Sequence, residues 1–194
     1  MKRVIFSLIL LALVPLLTAC SEDANATTPK IDKKLAQIER GEYLVNFGGC
    51  HDCHTPLKMG PKGPEPDMSR ALSGHPQDLV ITAAPKTEGP WMATASATMT
   101  AWAGPWGISY SRNLTPDRVS GLGIWTEDMF VKTMRTGRHM GVSRPLLPPM
   151  PWQSLNHLND EDLKSIFAYL RTVKPVRNEV PDAVIAPPPP APAG

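Results

Sequence analysis

Residues 50–54 constrain this chain more than any other part of its sequence, because they run Cys-His-Asp-Cys-His. Two thiols three residues apart, with a histidine directly after the second, form the C-x-x-C-H pattern of covalent haem attachment. The spacing lets Cys50 and Cys53 reach the two vinyl groups of one haem and form thioethers. His54 is then held under the ring, where its imidazole coordinates the iron. The sequence therefore predicts one covalently bound haem c.

Three other uses of the two thiols are weaker alternatives. A structural zinc site needs four ligands, and no second cysteine pair exists in the sequence. A thioredoxin-like redox pair belongs to a strand–helix–strand setting, which the surrounding sequence does not suggest. A disulfide between Cys50 and Cys53 would enclose only the two residues between them. The sequence favours haem attachment over all three.

The opposite side of the iron needs a sixth ligand, and Met150 is the predicted one. It lies within Leu-Pro-Pro-Met-Pro-Trp at 147–152, where three prolines surround it. A thioether is a weak neutral ligand, so a loop stiffened by prolines lowers the entropic cost of holding it in place. His139 and His75 are the alternatives. The other methionines downstream of the N-terminal apolar run are Met59, Met68, Met92, Met99, Met129, Met134 and Met140.

The first twenty residues predict export and lipidation. A short basic segment precedes an apolar run over residues 4–17, which is too short for a spanning helix and typical of a secretory signal. The run ends in Leu-Thr-Ala-Cys at 17–20, which resembles the lipobox of bacterial lipoproteins. That resemblance implies cleavage before Cys20 and a lipid on its thiol, which would anchor the chain to a membrane in the periplasm. Ser21 favours the outer membrane. The alternative is an ordinary signal peptide in which Cys20 occurs by chance.

Composition divides the chain into four parts. We expect a lipoprotein signal peptide over residues 1–19 and a flexible polar tether over residues 20–31. One domain follows over residues 32–176. Residues 177–194 are rich in proline and are expected to form an extended, unpacked tail.

Apolar residues at helical spacing predict three helices in the domain. The first begins at Asp32, the second follows Thr126 and the third follows Asn159. Thr126 and Asn159 are both favourable N-caps. Residues 71–110 show no sustained period, so we expect irregular loop there. No pair of strands is predicted.

Over about residues 40–177 the chain resembles the monohaem class I c-type cytochromes. More narrowly, it is similar to the haem domains of bacterial membrane alcohol and aldehyde dehydrogenase cytochrome subunits. The segments that carry the resemblance are Gly-Glu-Tyr-Leu-Val at 41–45, Gly-Cys-His-Asp-Cys-His-Thr-Pro at 49–56, Ser-Arg-Asn-Leu-Thr-Pro-Asp at 111–117, Gly-Leu-Gly-Ile-Trp-Thr at 121–126, Arg-Thr-Gly-Arg-His at 135–139, Leu-Pro-Pro-Met-Pro-Trp at 147–152, and Leu-Asn-Asp-Glu-Asp-Leu at 158–163 through Tyr-Leu at 169–170.

The resemblance implies an all-α cytochrome c fold, with a few helices around one haem. Residues 71–110 are then a long irregular insertion. The first and last helices of such a fold cross near the haem edge, where Gly41 allows close approach by the face of Phe167 and Leu170.

The resemblance also implies a function and a set of residue roles. Met150 is the distal ligand, and Asn113 and Trp125 lie near the haem propionates. An iron with both axial positions filled has no open position for substrate, so the chain is expected to be an electron carrier and not an enzyme. Two alternatives stay open. One is a haem-based gas sensor or enzyme with an open sixth site. The other is a fixed cytochrome subunit of one enzyme complex, with residues 71–110 as its docking surface.

The expected partners are redox proteins. A periplasmic dehydrogenase would donate electrons, and a membrane oxidase or reductase would accept them. No small-molecule substrate is expected. The sequence has 20 basic and 18 acidic residues, a balance that gives no electrostatic case for nucleic-acid binding.

Overall fold

The computed structural model describes residues 28–85 and 89–187. The predicted signal peptide, Cys20, most of the tether and the last seven residues of the tail lie outside the described residues. The α-helices within the described ranges are α1 (Thr28–Phe47), α2 (Cys50–His54), α3 (Glu127–Thr136), α4 (Trp152–Leu155) and α5 (Asp160–Leu170). The strands are β1 (Leu57–Gly60), β2 (Gly63–Pro66), β3 (Thr94–Ala95), β4 (Ala101–Gly104), β5 (Gly107–Tyr110) and β6 (Val184–Ile185).

Helices α1 and α5 cross at Gly41. A Cβ atom on Gly41 would overlap the backbone carbonyl oxygen of Ser165 and come within 2.8 Å of the Cβ of Tyr169. Only glycine therefore allows the two backbones to approach this closely. The predicted close approach to α5 is confirmed. The residues in contact are Ser165 and Tyr169, whereas Phe167 and Leu170 are buried in the hydrophobic core.

The caps of the two later helices are those that the sequence predicts. The side chain of Thr126 accepts a hydrogen bond from the backbone N–H of Met129, at 3.2 Å. Asn159 accepts one from the N–H of Asp162, at 2.7 Å. These caps satisfy N–H groups that a helix start leaves without partners. The core joins α1, α3 and α5, and its buried residues are Leu44, Val45, Leu72, Leu122, Phe130, Met134, Leu163, Ile166, Phe167 and Leu170.

The expectation of a purely α-helical fold is wrong. β1 and β2 form an antiparallel hairpin, and β3, β4, β5 and β6 form a second antiparallel sheet in that order. Three of these strands lie within residues 71–110, where the sequence predicts irregular loop. Burial does alternate along β4, where Ala101 and Ala103 are buried. Four residues are too few to make such an alternation stand out in the sequence.

The expectation of an unpacked tail is also wrong for the residues that the structure describes. The side chain of Asn178 is fully buried. Farther along, β6 pairs with β5, where Val184 lies opposite Ile108. Prolines favour extended backbone, and an extended segment can add to the edge of a sheet as readily as it can stay in solvent. The helix α1 begins at Thr28, so the last four residues of the predicted tether are helical.

Candidate functional site

The helix α2 contains the whole C-x-x-C-H motif. It begins after Gly49, whose φ of 63° lies in the left-handed region that favours glycine. A helical turn places Cys50 and Cys53 on one face, because residues three apart are neighbours on a helix surface. Both cysteines are partly buried free thiols. The local fold therefore places both cysteines on one turn of helix.

His54 ends this helix with its imidazole buried, at 8% exposure. Its Nδ1 lies 2.7 Å from the backbone carbonyl oxygen of Arg112. A carbonyl oxygen only accepts, so Nδ1 carries the proton and Nε2 keeps its lone pair. Burial, opposed by this hydrogen bond, lowers the pKa of His54. The imidazole is therefore neutral and oriented, as a metal ligand must be.

Backbone N–H groups of the loop over residues 72–74 hold the C-terminal end of the motif in place. The N–H of Gly74 donates to the carbonyl oxygen of His54, at 2.8 Å. The N–H of Leu72 donates to the hydroxyl of Thr55, at 2.9 Å. The same hydroxyl lies 2.9 Å from Nδ1 of His51, which is only partly buried. The loop over residues 72–74 thus fixes the position of the whole motif.

The two thiols are electrically neutral. Burial raises the pKa of Cys50 to about 11 and also raises the pKa of Cys53. Zinc binding and thiol–disulfide exchange both use the thiolate, and this environment opposes its formation. Across residues 28–85 and 89–187, no group of three or more His, Cys, Asp or Glu side chains is arranged to hold a metal ion.

Met150 sits at the end of a loop that is anchored at several points. The hydroxyl of Ser109 donates to the carbonyl oxygen of Pro148, at 2.5 Å. The N–H of Leu146 donates to the carbonyl oxygen of Gly137, at 2.8 Å. Met150 is half-buried, and it packs against the same core cluster as Cys50. The loop is therefore anchored, and Met150 and Cys50 pack against one core cluster.

The two histidine alternatives to Met150 differ in structure. His75 is fully buried, with Nδ1 3.0 Å from the hydroxyl of Thr100 and Nε2 2.9 Å from the carbonyl oxygen of Leu79. Both ring nitrogens are therefore occupied. Nδ1 of His139 lies 3.2 Å from the hydroxyl of Ser143. Nε2 of His139 has no hydrogen-bond partner among the described residues, so His139 stays the alternative ligand.

The other methionines differ in burial. Met59, Met68 and Met92 are between 62% and 77% exposed. Met134 is buried among core residues of α3.

Asn113 and Trp125 are the residues that the resemblance places near the haem propionates. The amide of Asn113 is instead used within the protein: Nδ2 donates to Ser120 and to the carbonyl oxygen of Val176, and Oδ1 accepts from Thr115. Trp125 packs against the core and meets the ring of His139 edge-on, at 5.1 Å between centroids. Asn113 therefore has a turn-stabilising role in the structure.

Sequence reasoning did not identify Arg112, whose backbone carbonyl orients His54. A carbonyl group is present in every residue, so the residue type carries no signal for this role. The only indication is that Arg112 lies in the segment over residues 111–117 that supports the resemblance.

Comparison with known proteins gives distant relatives. No model of a protein family matches the chain. The chain is 32% identical to the fructose dehydrogenase cytochrome subunit of Gluconobacter japonicus, over 72% of this chain and 22% of that one. It is also 32% identical to the gluconate 2-dehydrogenase cytochrome c subunit of Pantoea cypripedii, over 77% of its own length and 26% of that protein.

A third relative is the cytochrome c subunit of the quinone-type alcohol dehydrogenase of Gluconobacter oxydans. The identity is 31%, over 78% of this chain and 25% of that protein. The chain thus spans about a quarter of the length of these three curated relatives. Within the described residues, no helix is long and apolar enough to cross a membrane.

Proposed function

We propose that this chain, a distant homologue of the cytochrome c subunits of dehydrogenases, is an electron-transfer protein that carries one covalent haem c. Homology to cytochrome c subunits implies that cofactor. We assign the thioether bonds to Cys50 and Cys53, and the axial positions to His54 and Met150.

One observation carries the proposal. The imidazole of His54 is buried and neutral, its Nδ1 is held by the carbonyl oxygen of Arg112, and its Nε2 has no hydrogen-bond partner among the described residues. Beside it stand two neutral thiols on one helical turn. This donor set fits haem c, because thioether formation needs free thiols and the iron needs an unprotonated ring nitrogen.

Haem supplies a one-electron change between ferric and ferrous iron, and a Met/His axial pair raises its reduction potential. The chain contributes orientation and burial. Arg112 holds the His54 ring in one tautomer, and the anchored loop holds Met150. If His54 and Met150 hold the iron on its two sides, no iron site would be left for a substrate.

The partners follow from the relatives. The three described above are cytochrome subunits of dehydrogenases by name. We therefore propose a dehydrogenase as the electron donor and a respiratory oxidase or reductase as the acceptor. A lipid on Cys20 would hold the chain at a membrane in the periplasm, and Ser21 favours the outer membrane.

Covalent haem is tested on the full chain expressed together with a cytochrome c maturation system. After denaturing electrophoresis, haem staining should colour the wild-type band, and the pyridine haemochrome spectrum should be that of haem with two thioethers. Cys53→Ala should shift that spectrum to the form with one vinyl group retained, while Cys20→Ala should leave it unchanged. Haem that acidified organic solvent extracts from the wild type would contradict the proposal.

Carbon monoxide separates the electron carrier from the sensor or enzyme. The reduced wild-type protein should bind it slowly or not at all, because Met150 occupies the sixth position. Rapid, complete binding by the wild type would favour a gas sensor or an enzyme with an open site.

A further inference from the structure

Residues at the end of the domain contact the two segments that hold His54 in place. We call residues 176–181 the strap. Its centre is Asn178, whose fully buried side chain uses all of its hydrogen-bonding capacity. Nδ2 donates to the carbonyl oxygens of Ser73 and His75, at 2.7 and 2.8 Å. Oδ1 accepts from Nη2 of Arg70 and from the N–H of Gln77, both at 3.0 Å.

These bonds clamp the loop that supports the motif. Ser73 and His75 flank Gly74, whose N–H donates to the carbonyl oxygen of His54. Gly74 has a φ of 79° and packs closely against the backbone of Arg112, so this loop has little room to shift without moving its neighbours. Through this loop, Asn178 therefore fixes the N–H of Gly74, which donates to the carbonyl oxygen of His54 at the end of α2.

The strap also holds the peptide group that accepts from His54. That peptide joins Arg112 to Asn113, and both side chains reach the strap. The guanidinium of Arg112 donates to the carbonyl oxygens of Val180 and Pro181, at 3.1 and 2.7 Å. Nδ2 of Asn113 donates to the carbonyl oxygen of Val176, at 2.7 Å.

Partial burial costs the guanidinium of Arg112 some of its hydration energy. Burial lowers the pKa of Arg112, and its nearest carboxylate, Asp182, is 3.5 Å away and 92% exposed. A guanidinium that is partly buried and paired with an exposed carboxylate regains only part of the hydration energy that it loses. That cost is compensated by the charge-assisted bonds to the strap, which fix the backbone of Arg112.

We propose that the strap positions the proximal ligand, with Arg112 and Asn178 as positioning residues that set the strength of the hydrogen bond from His54. This inference rests on the proposed haem. A strong bond from Nδ1 makes the imidazole a better electron donor, which favours ferric iron. Weakening the strap should therefore raise the reduction potential.

The test compares Arg112→Ala and Asn178→Ala with the wild-type holoprotein in a spectroelectrochemical titration. Arg112→Ala keeps the backbone carbonyl that His54 contacts and removes the side-chain bonds to the strap together with the exposed ion pair to Asp182. At a fixed ambient potential, each variant should raise the ratio of ferrous to ferric haem about threefold. The proton NMR shifts of the His54 ring should move as well. Arg112→Lys, which keeps the charge, should lie between Arg112→Ala and the wild type.

Arg177→Ala is the matched control, since Arg177 belongs to the strap but its side chain pairs with Glu179 in solvent. It should keep the wild-type potential. Unchanged potential and unchanged His54 ring shifts in both Arg112→Ala and Asn178→Ala would overturn the inference, even where thermal stability falls. If Asn178→Ala does not fold, the variants Arg112→Ala and Arg112→Lys decide, again by the reduction potential and the His54 ring shifts. A wild type without covalent haem overturns the proposed function itself, and the haemochrome spectrum shows this before any variant is compared.

Discussion

The carbonyl oxygen of Arg112 lies 2.7 Å from Nδ1 of His54 and sets the tautomer of the buried ring. Three residues earlier, the hydroxyl of Ser109 donates to the carbonyl oxygen of Pro148, at 2.5 Å. One short stretch of chain at the end of β5 thus contacts both segments that carry the predicted axial ligands. The sheet that the sequence did not predict is therefore part of the support of the site.

Removing the hydroxyl of Ser109 should loosen the Met150 loop. We expect Ser109→Ala to reduce the free energy of unfolding by about 1 kcal/mol, because the carbonyl oxygen of Pro148 loses its partner. Reduced Ser109→Ala should also bind carbon monoxide faster than the wild type. Stopped-flow mixing measures that rate. Ser154→Ala, at an exposed position of α4, should keep the wild-type rate, and equal rates in Ser109→Ala and the wild type would count against the anchoring role.

The crossing of α1 and α5 should not tolerate a methyl group at Gly41. Because the added Cβ would overlap the carbonyl oxygen of Ser165, Gly41→Ala should destabilise the fold by about 1–3 kcal/mol. Denaturant unfolding measures the loss. Glu39→Ala introduces the same residue at an exposed position of α1 and should be nearly neutral. Equal stability of the two variants would show that the helices can separate without cost.

Much of the framework is predictable where local sequence determines it. The caps at Thr126 and Asn159 depend on one side chain and the N–H three residues later, so the sequence signal and the contact coincide. The C-x-x-C-H motif is local in the same sense. Pairing between β5 and β6 joins residues more than seventy positions apart, and the short strands carry little periodicity of their own. The burial of Asn178 likewise depends on carbonyl groups contributed by a distant loop.

An ion pair between α1 and α5 should make stability depend on pH. Nε and Nη2 of Arg40 donate to the two carboxylate oxygens of Asp162, at 2.7 and 3.1 Å. The hydrogen bond from Arg40 lowers the pKa of Asp162 in the folded state. Such a group adds stability above its unfolded pKa, near 4, and that stability is lost as the pH falls through the lower folded pKa.

The variant Asp162→Asn isolates this contribution. Its thermal midpoint should lie below that of the wild type at pH 7, and the difference should shrink as the pH falls below about 4. High salt should reduce the difference at pH 7, since the pair is partly exposed. Asp128→Asn is the control, on the exposed side of α3. A constant difference between Asp162→Asn and the wild type from pH 7 to pH 2 would mean that the charge of Asp162 is not involved.

The assignment of Met150 as sixth ligand gives the most direct spectroscopic prediction. Ligation by a thioether produces a weak near-infrared sulfur-to-iron band in the oxidised protein, and Met150→Ala should abolish it. The same variant should bind carbon monoxide rapidly when reduced. Its reduction potential should fall, because the Met/His pair that raises the potential is lost. Met59→Ala, at a site that is 77% exposed, should leave all three properties unchanged.

The outcome also decides between Met150 and His139. Of the two alternatives, His139 and His75, His139 is the better placed for ligation, since both nitrogens of His75 are engaged. If His139 binds the iron, Met150→Ala should keep the wild-type spectrum and reduction potential. His139→Ala should then open the sixth site, and the reduction potential should rise because a weaker donor replaces the imidazole. If Met150 binds, His139→Ala should keep the near-infrared band, because the His139 ring then contacts Trp125 and Ser143 and not the iron. Measuring both variants under the same conditions therefore decides between Met150 and His139.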